Sequence, residues 1–242
     1  MKMMENIDIS DILLNGAKSL GIELPLGAVS AFELYYSFLA QRGSCVNLTA
    51  ITGVEDVARL HFLDSIALLN YAHFKNARVI DVGSGAGFPG VALKIAEPSI
   101  TLTLLDSTGK RVSFLNNLCA LLGFESNCVH ARAEDASRTQ GFRECFDIAV
   151  SRAVARLNIL CELCLPFVRV GGIFISMKSF STDDEVSEAT NAIETLGAEL
   201  LDCFAYNIPE TDISNRAVLI RKTASTPDKY PRRFSRIQNS PL

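Results

Sequence analysis

The run Asp81-Val82-Gly83-Ser84-Gly85-Ala86-Gly87-Phe88-Pro89-Gly90 constrains this chain more than any other feature. It lies directly after a short β-branched run and directly before a helical stretch. Glycines at alternate positions there permit backbone conformations closed to other residues and let a ligand approach the main chain. Pro89 suits the first turn of the following helix, where its missing N–H is not needed. A GK[ST] ending is lacking, so the phosphate loop of nucleotide triphosphatases is excluded.

The surrounding pattern says what such a loop is built into. Short runs, RVIDV, LTLLD, NCVHA, FDIAVS and GIFISMK, alternate with helical stretches, FPGVALKIA, KRVSFLNNLCALLG, a piece near Glu134–Gln140 and ARLNILCELCLPFV. This alternation predicts a parallel sheet made of βαβ units. After a polar helix from Asp183 to about Leu196, ELLDCFAYNI and NRAVLIRKT predict a closing hairpin. The expected fold is therefore α/β and Rossmann-like, a mostly parallel seven-stranded sheet with an antiparallel last strand. Such a hairpin is the class I methyltransferase arrangement, whereas a dinucleotide-binding sheet normally ends parallel. Before the sheet, ISDILLNGAKSLGI, VSAFELYYSFLAQR and VEDVARLHFLDSIALLNYA show helical periodicity. We expect three regions: a helical N-terminal extension (1–75), a ligand-binding catalytic domain (76–222) and a basic C-terminal tail (223–242).

Charge discriminates between ligands for the loop. A dinucleotide needs its pyrophosphate at the helix N-terminus, and Asp81 would repel it. The same acid suits the ammonium and sulfonium end of S-adenosyl-L-methionine. Asp106 ends the next strand, where a carboxylate accepts from both ribose hydroxyls of an adenosine cofactor; it would equally serve as a helix cap. Ala133 and Glu134 would border the adenine, or Glu134 would be a helix N-terminal charge. Arg152, at the end of the fourth strand, would hold a methionine carboxylate or a nucleic-acid phosphate, or else make a surface salt bridge.

Composition narrows the class of protein. With 242 residues, 48% hydrophobic and 21% charged, the chain can bury one substantial core. Charges interrupt the apolar residues near the N-terminus, and no uncharged apolar run approaches a membrane span, so we expect a cytoplasmic protein without membrane association. Its seven cysteines sit mostly in apolar runs and read as reduced core thiols. Cys161 and Cys164 form a CxxC with no second pair to complete a metal site, so no metal is expected. The net charge is −4, yet from Arg221 onward Arg221, Lys222, Lys229, Arg232, Arg233 and Arg236 face Asp228 alone. That basic end is read as a phosphate-contacting arm or a solvated terminus.

Taken together, Asn47-Leu48-Thr49-Ala50-Ile51, His61-Phe62-Leu63-Asp64-Ser65, Asp81 through Gly90, Leu105-Asp106-Ser107 with Lys110-Arg111, Arg132-Ala133-Glu134, Ser151-Arg152-Ala153 and Met177-Lys178 resemble the small-subunit ribosomal RNA guanine-N7 methyltransferases, also called the glucose-inhibited division protein B family. The resemblance runs from about Val46 to Lys178. It implies a guanine in small-subunit (16S) ribosomal RNA as substrate, in free RNA or within an assembled or assembling 30S particle. It also implies methyl-donor contacts from Gly83, Phe88, Ala133, Glu134 and Arg152, to which the loop and strand-end readings add Gly85 and Asp106. Lys229-Tyr230-Pro231-Arg232 looks like the family's basic tail, but Phe234 to Ser240 lacks the expected glycine and lysines.

Guanine N7 carries a lone pair and no proton, so its methylation needs positioning rather than a general base. Arg152 and Lys178 are the candidate catalytic groups. Asn47, His61, Asp64, Ser65, Arg232 and Arg233 are the candidate RNA contacts. Each has a plainer alternative as a turn former, surface residue or solubilising charge. The rival readings are a small-molecule methyltransferase, a nicotinamide-dependent oxidoreductase and a non-catalytic RNA-binding protein.

Overall fold

Helices lead the chain into its sheet. The computed structural model describes residues 8–46, 51–152, 154–180 and 183–242. Helix α1 (Ile9–Ser19) starts at Asp8, whose side chain accepts from the Ser10 N–H at 3.0 Å, a polar cap on an otherwise orphan donor. Helix α2 is Ala28–Val46. The periodic run that follows is not one regular helix: α3 (Val54–Val57) passes through a π-helical turn (Ala58–Leu63) into α4 (Asp64–Ile66) and a 3-10 turn (Ala67–Asn70). A π turn advances the side-chain phase relative to an α-helix. Here it accompanies the burial of His61, Asp64 and Ser65, which an uninterrupted helix reading allowed to stay on the surface.

The remaining elements alternate: β1 (Arg78–Val82), α5 (Gly90–Ala96), β2 (Thr101–Asp106), α6 (Gly109–Leu122), β3 (Asn127–His130), α7 (Ala133–Ala136), β4 (Phe146–Arg152), α8 (Leu157–Cys164), β5 (Val168–Ser179), α9 (Asp183–Glu188), α10 (Thr190–Thr195), β6 (Ala198–Asn207), β7 (Ser214–Lys222) and α11 (Phe234–Asn239). One seven-stranded sheet has the order β3-β2-β1-β4-β5-β7-β6. Strands β1 to β5 pair in parallel, and β7 runs antiparallel to both β5 and β6. The expected α/β sheet with a reversed last strand is therefore present. Its strand order turns back between β1 and β4, the switch point where open α/β sheets leave a crevice at their carboxyl edge. Strand β5 begins earlier than the GIFISMK run because pairing continues past Gly171 and Gly172 through a register shift between Phe146 and Ile148.

Alternate strand residues enter opposite cores, as the two-residue period requires. Val79 and Leu104 join Phe32, Tyr35 and Phe62 from the N-terminal helices. Ile80 and Leu105 join Leu160, Phe167 and, from the C-terminal segment, Tyr230 and Ile237. The helices before the sheet thus cover one of its faces, and the last twenty residues pack against the other.

That last segment is cross-braced. Arg138 donates to the carbonyls of Asp228, Lys229 and Pro231, and Arg143 to those of Thr226 and Tyr230. Lys222 is fully buried and donates to Glu144 at 2.9 Å. Arg232 pairs with the fully buried Glu162 at 2.6 Å. Lys222 and Arg232, counted in sequence with a basic arm, hold the segment down. Among the described residues no helix is long and apolar enough to cross a membrane.

Candidate functional site

The glycine loop is pinned across the sheet's carboxyl edge: Gly83 and Ser84 N–H groups donate to the Leu105 carbonyl at 2.8 and 3.1 Å. Gly83 and Gly85 have φ of +78° and +57°, left-handed values that favour glycine. A Cβ on Gly83 would lie 2.6 Å from Val154 Cγ2, so a side chain there would collide with the wall of the crevice. Asp106, 2% exposed, closes the end of β2. Its Oδ2 accepts from Gly85 N at 3.0 Å and its Oδ1 from Thr108 N at 2.8 Å, with the Arg111 guanidinium 3.4 Å from Oδ2. A carboxylate offers about four lone-pair sites, so acceptor capacity remains at Oδ1.

Asp81 sits differently from the sequence expectation. It is fully buried beneath the loop, where Oδ2 accepts from Gly90 N at 2.9 Å and Oδ1 has no hydrogen-bond partner among the described residues. Burial pushes its carboxyl up to about 7. It lines neither cavity described next and reaches their contents only through its field.

A cavity of about 460 Å³ opens over the loop, walled by Gly83, Gly85, Phe88, Asp106, His61 and Arg152. That volume lies within the range of small-molecule sites. A second cavity of about 130 Å³ adjoins it, walled by Ala133, Glu134, Leu163 and Phe234. Gly83, Asp106, Ser107 and Val154 line both, so the two form one crevice astride the loop.

At the far end of the larger cavity, Arg152 leaves β4 and meets the π turn. Its Nη1 donates to Leu60 O and Asp64 Oδ2, each at 3.2 Å, and its Nη2 lies 3.2 Å from His61 Nδ1. Nδ1 also lies 3.0 Å from Leu60 O, so the tautomer decides whether the ring donates to that carbonyl or accepts from Arg152. Burial, then the Arg152 charge, pulls His61 down to about 4. The guanidinium lies 4.8 Å from the Phe88 ring centroid and the His61 ring 4.6 Å from it, making a continuous polarisable wall. Asp64 Oδ1 accepts from Tyr206 Oη and from Asn215 Nδ2, both at 2.8 Å. The β6–β7 hairpin thereby fixes the acid that fixes Arg152.

The structure brings Gly83, Gly85, Phe88, Asp106, Ala133, Glu134, Arg152 and His61 around the crevice, with Asp64 and Ser65 buried just behind. It does not bring Lys178 there: the ammonium is bound to Ala155 O and Glu185 Oε2, both at 2.7 Å. Arg232 is bound to Glu162, while Arg233 is exposed. Asn47 lies outside the described residues, as do Leu48, Thr49, Ala50 and Ala153. Cys161 and Cys164 are fully buried, their thiols pushed up by desolvation. Tyr206, Asn215 and Phe234 were not singled out in sequence, because each stands far along the chain from the motif it completes.

Comparison with known proteins agrees with this arrangement. The family model described as "GidB: rRNA small subunit methyltransferase G" matches residues 28–213. A ribosomal RNA small subunit methyltransferase G of Caldanaerobacter subterraneus is 46% identical over 234 residues, covering 96% of this chain and 98% of the relative. One from Alkaliphilus oremlandii is 44% identical, covering 98% of this chain and all of the relative. Among solved structures, the YcgJ protein of Bacillus subtilis aligns with a TM-score of 0.50 at 15% identity, over 68% of this chain and 100% of that one, a likeness of fold alone. With a family model over most of its length and relatives above 40% identity end to end, this chain belongs to the GidB family of ribosomal RNA small subunit methyltransferases G.

Proposed function

We propose that the chain transfers a methyl group from S-adenosylmethionine to N7 of a guanine in small-subunit (16S) ribosomal RNA, in the cytoplasm, on an assembled or assembling 30S particle. The observation that carries this reading is the continuous crevice over the glycine loop, with an acid that retains acceptor capacity in its middle and an arginine, an aromatic ring and a histidine at one end. The residues fit the donor. Gly83 and Gly85 leave the backbone bare, Asp106 Oδ1 can accept a ribose hydroxyl, and Ala133 keeps the smaller cavity open beside Glu134. When bound, S-adenosylmethionine supplies an electrophilic methyl group on a sulfonium.

The chain's own work is then to orient and to exclude water. Gly83, Gly85, Phe88, Asp106, Ala133, Glu134 and Arg152 would hold the donor. Arg152 would position the reacting end, because Asp64, His61 and Phe88 fix its guanidinium. No proton need leave N7, so alignment within about 3 Å converts a bimolecular collision into an oriented encounter. His61, Asp64, Ser65, Asn47 and Arg233 would form the RNA side, while Lys178 and Arg232 would brace it through their ion pairs with Glu185 and Glu162. A guanine in a loop or single strand suits this crevice, since the A-form major groove is too deep and narrow to admit a protein wall. Residues 1–75 and 223–242 would serve as covers for a catalytic domain spanning 76–222.

The test is transfer of radiolabelled methyl to 30S subunits, and to free ribosomal RNA, from a strain lacking the protein, followed by mapping of the modified base. Label on a small-subunit guanine N7 is the expected result. No incorporation into any ribosomal RNA would overturn the reading.

A further inference from the structure

We infer that the C-terminal segment closes the adenine end of the donor crevice and that Phe234 is the residue that meets the adenine there. The inference rests on the methyl-donor reading above. Phe234 lines the smaller cavity together with Ala133 and Glu134, although about a hundred residues separate them in sequence. The guanidinium of Arg132, the residue immediately before Ala133, lies 5.5 Å from the Phe234 ring centroid. One face of this wall is thus held by the very loop that borders the cavity.

The ring is not on a loose end. Phe234 opens α11 two residues after Arg232, which is tied to buried Glu162 through its backbone N–H at 2.7 Å and its side chain at 2.6 Å. Ile237, one turn further, is fully buried, and Tyr230 packs into the same core. Arg138 and Arg143 grip the carbonyls in between. A half-buried aromatic ring set on so fixed a support, facing a cavity beside small Ala133, is what a flat apolar ligand group requires. Of the cations at this end of the chain, read in sequence as a phosphate-contacting arm or a solvated terminus, Lys222 and Arg232 help to fasten the ring's support, while Arg221, Lys229, Arg233 and Arg236 are exposed.

The chain contains no tryptophan, so Phe234→Trp places a single tryptophan emitter at the proposed contact. Titration with S-adenosylhomocysteine should change its emission saturably. Phe234→Ala should weaken binding of S-adenosylhomocysteine about tenfold, within the range found when an aromatic partner of a base is truncated. It should weaken 5′-methylthioadenosine by a similar factor, because the lost contact is at the adenine end. Phe234→Leu should recover part of the loss, and the ligand-free melting temperatures should show all three variants folded. Unchanged affinity in Phe234→Ala together with silent emission in Phe234→Trp, in a wild-type protein that binds, would overturn the inference. Failure of the wild-type chain to bind S-adenosylhomocysteine would instead overturn the donor reading beneath it.

Discussion

At the scale of single residues the site holds two buried titratable groups that act in opposite directions over nearly the same pH window. The carboxyl of Asp81 is raised to about 7, chiefly by burial, so its contribution to stability is present below the unfolded value near 4 and is lost as pH rises through 7. His61 is lowered to about 4, again chiefly by burial. Its contribution is present above the unfolded value near 6.5 and is lost as pH falls through 4. Between pH 8 and pH 5 the His61 loss comes to about 2 kcal/mol. The Asp81 contribution grows toward acid as that of His61 is lost, so the test is the difference: from pH 8 to pH 5 the urea midpoint of His61→Phe, which keeps a ring against Phe88 but does not titrate, should rise relative to that of the wild type. Equal acid-side slopes would show that the ring is not held neutral by its surroundings. Arg152→Ala should destabilise more than His61→Phe, since it leaves the Asp64 carboxylate, 4% exposed, without its cation. Removing one partner of a buried ion pair costs about 3–5 kcal/mol, and methyl transfer should fall even where enough folded protein remains to assay.

At the scale of elements the informative comparison is between the strands and the segments that cover them. Strand β1 could be read to the residue, because RVIDV is bounded by a charge and by Gly83. The glycine loop and Asp106 were legible for the same reason: strand ends and φ-permissive residues are local signals. The π turn was not legible. Its residues have ordinary helical periodicity, and the phase shift is visible only in what meets it and the residue after it: Phe88 and Arg152 against His61, and Tyr206 on Asp64. The fastening of the last segment was equally hidden, since Arg138, Arg143, Glu162 and Lys222 look like solvated charges until their partners are known. This yields a prediction for the Glu162–Arg232 tie between α8 and the segment before α11. Arg232→Ala strands a fully buried carboxylate and should lower the melting temperature on the order of 10 °C. Replacing both residues by methionine should recover most of that loss, because an apolar pair of similar volume carries no desolvation cost. A double variant as unstable as the single one would mean that the charges themselves, and not the packing, hold the segment.

For the whole molecule, the question is which cations are left to meet RNA once the structural ones are set aside. A chain of net charge −4 binds a polyanion only where its free cations gather. Lys222, Arg232 and Lys178 are each paired with an acid and mostly or wholly shielded from water. Arg233 and Arg236 are exposed on the segment that covers the adenine end, and Arg111 stands at the rim of the larger cavity with its side chain 40% exposed. The two classes should separate in the salt dependence of RNA binding. Each phosphate contact to single-stranded RNA contributes a slope of about −0.7 to the logarithm of affinity against the logarithm of salt concentration. Arg233→Gln and Arg236→Gln should each reduce the magnitude of that slope by about that amount, weaken binding at low salt and leave the melting temperature nearly unchanged. Arg232→Gln should do the reverse: the melting temperature falls, while the slope measured on the folded fraction stays at its wild-type value. A lowered slope for Arg232→Gln, or an unchanged one for the Arg233 and Arg236 variants, would show that the RNA approaches the paired cations after all, and that the segment must release its hold on Glu162 for substrate to bind.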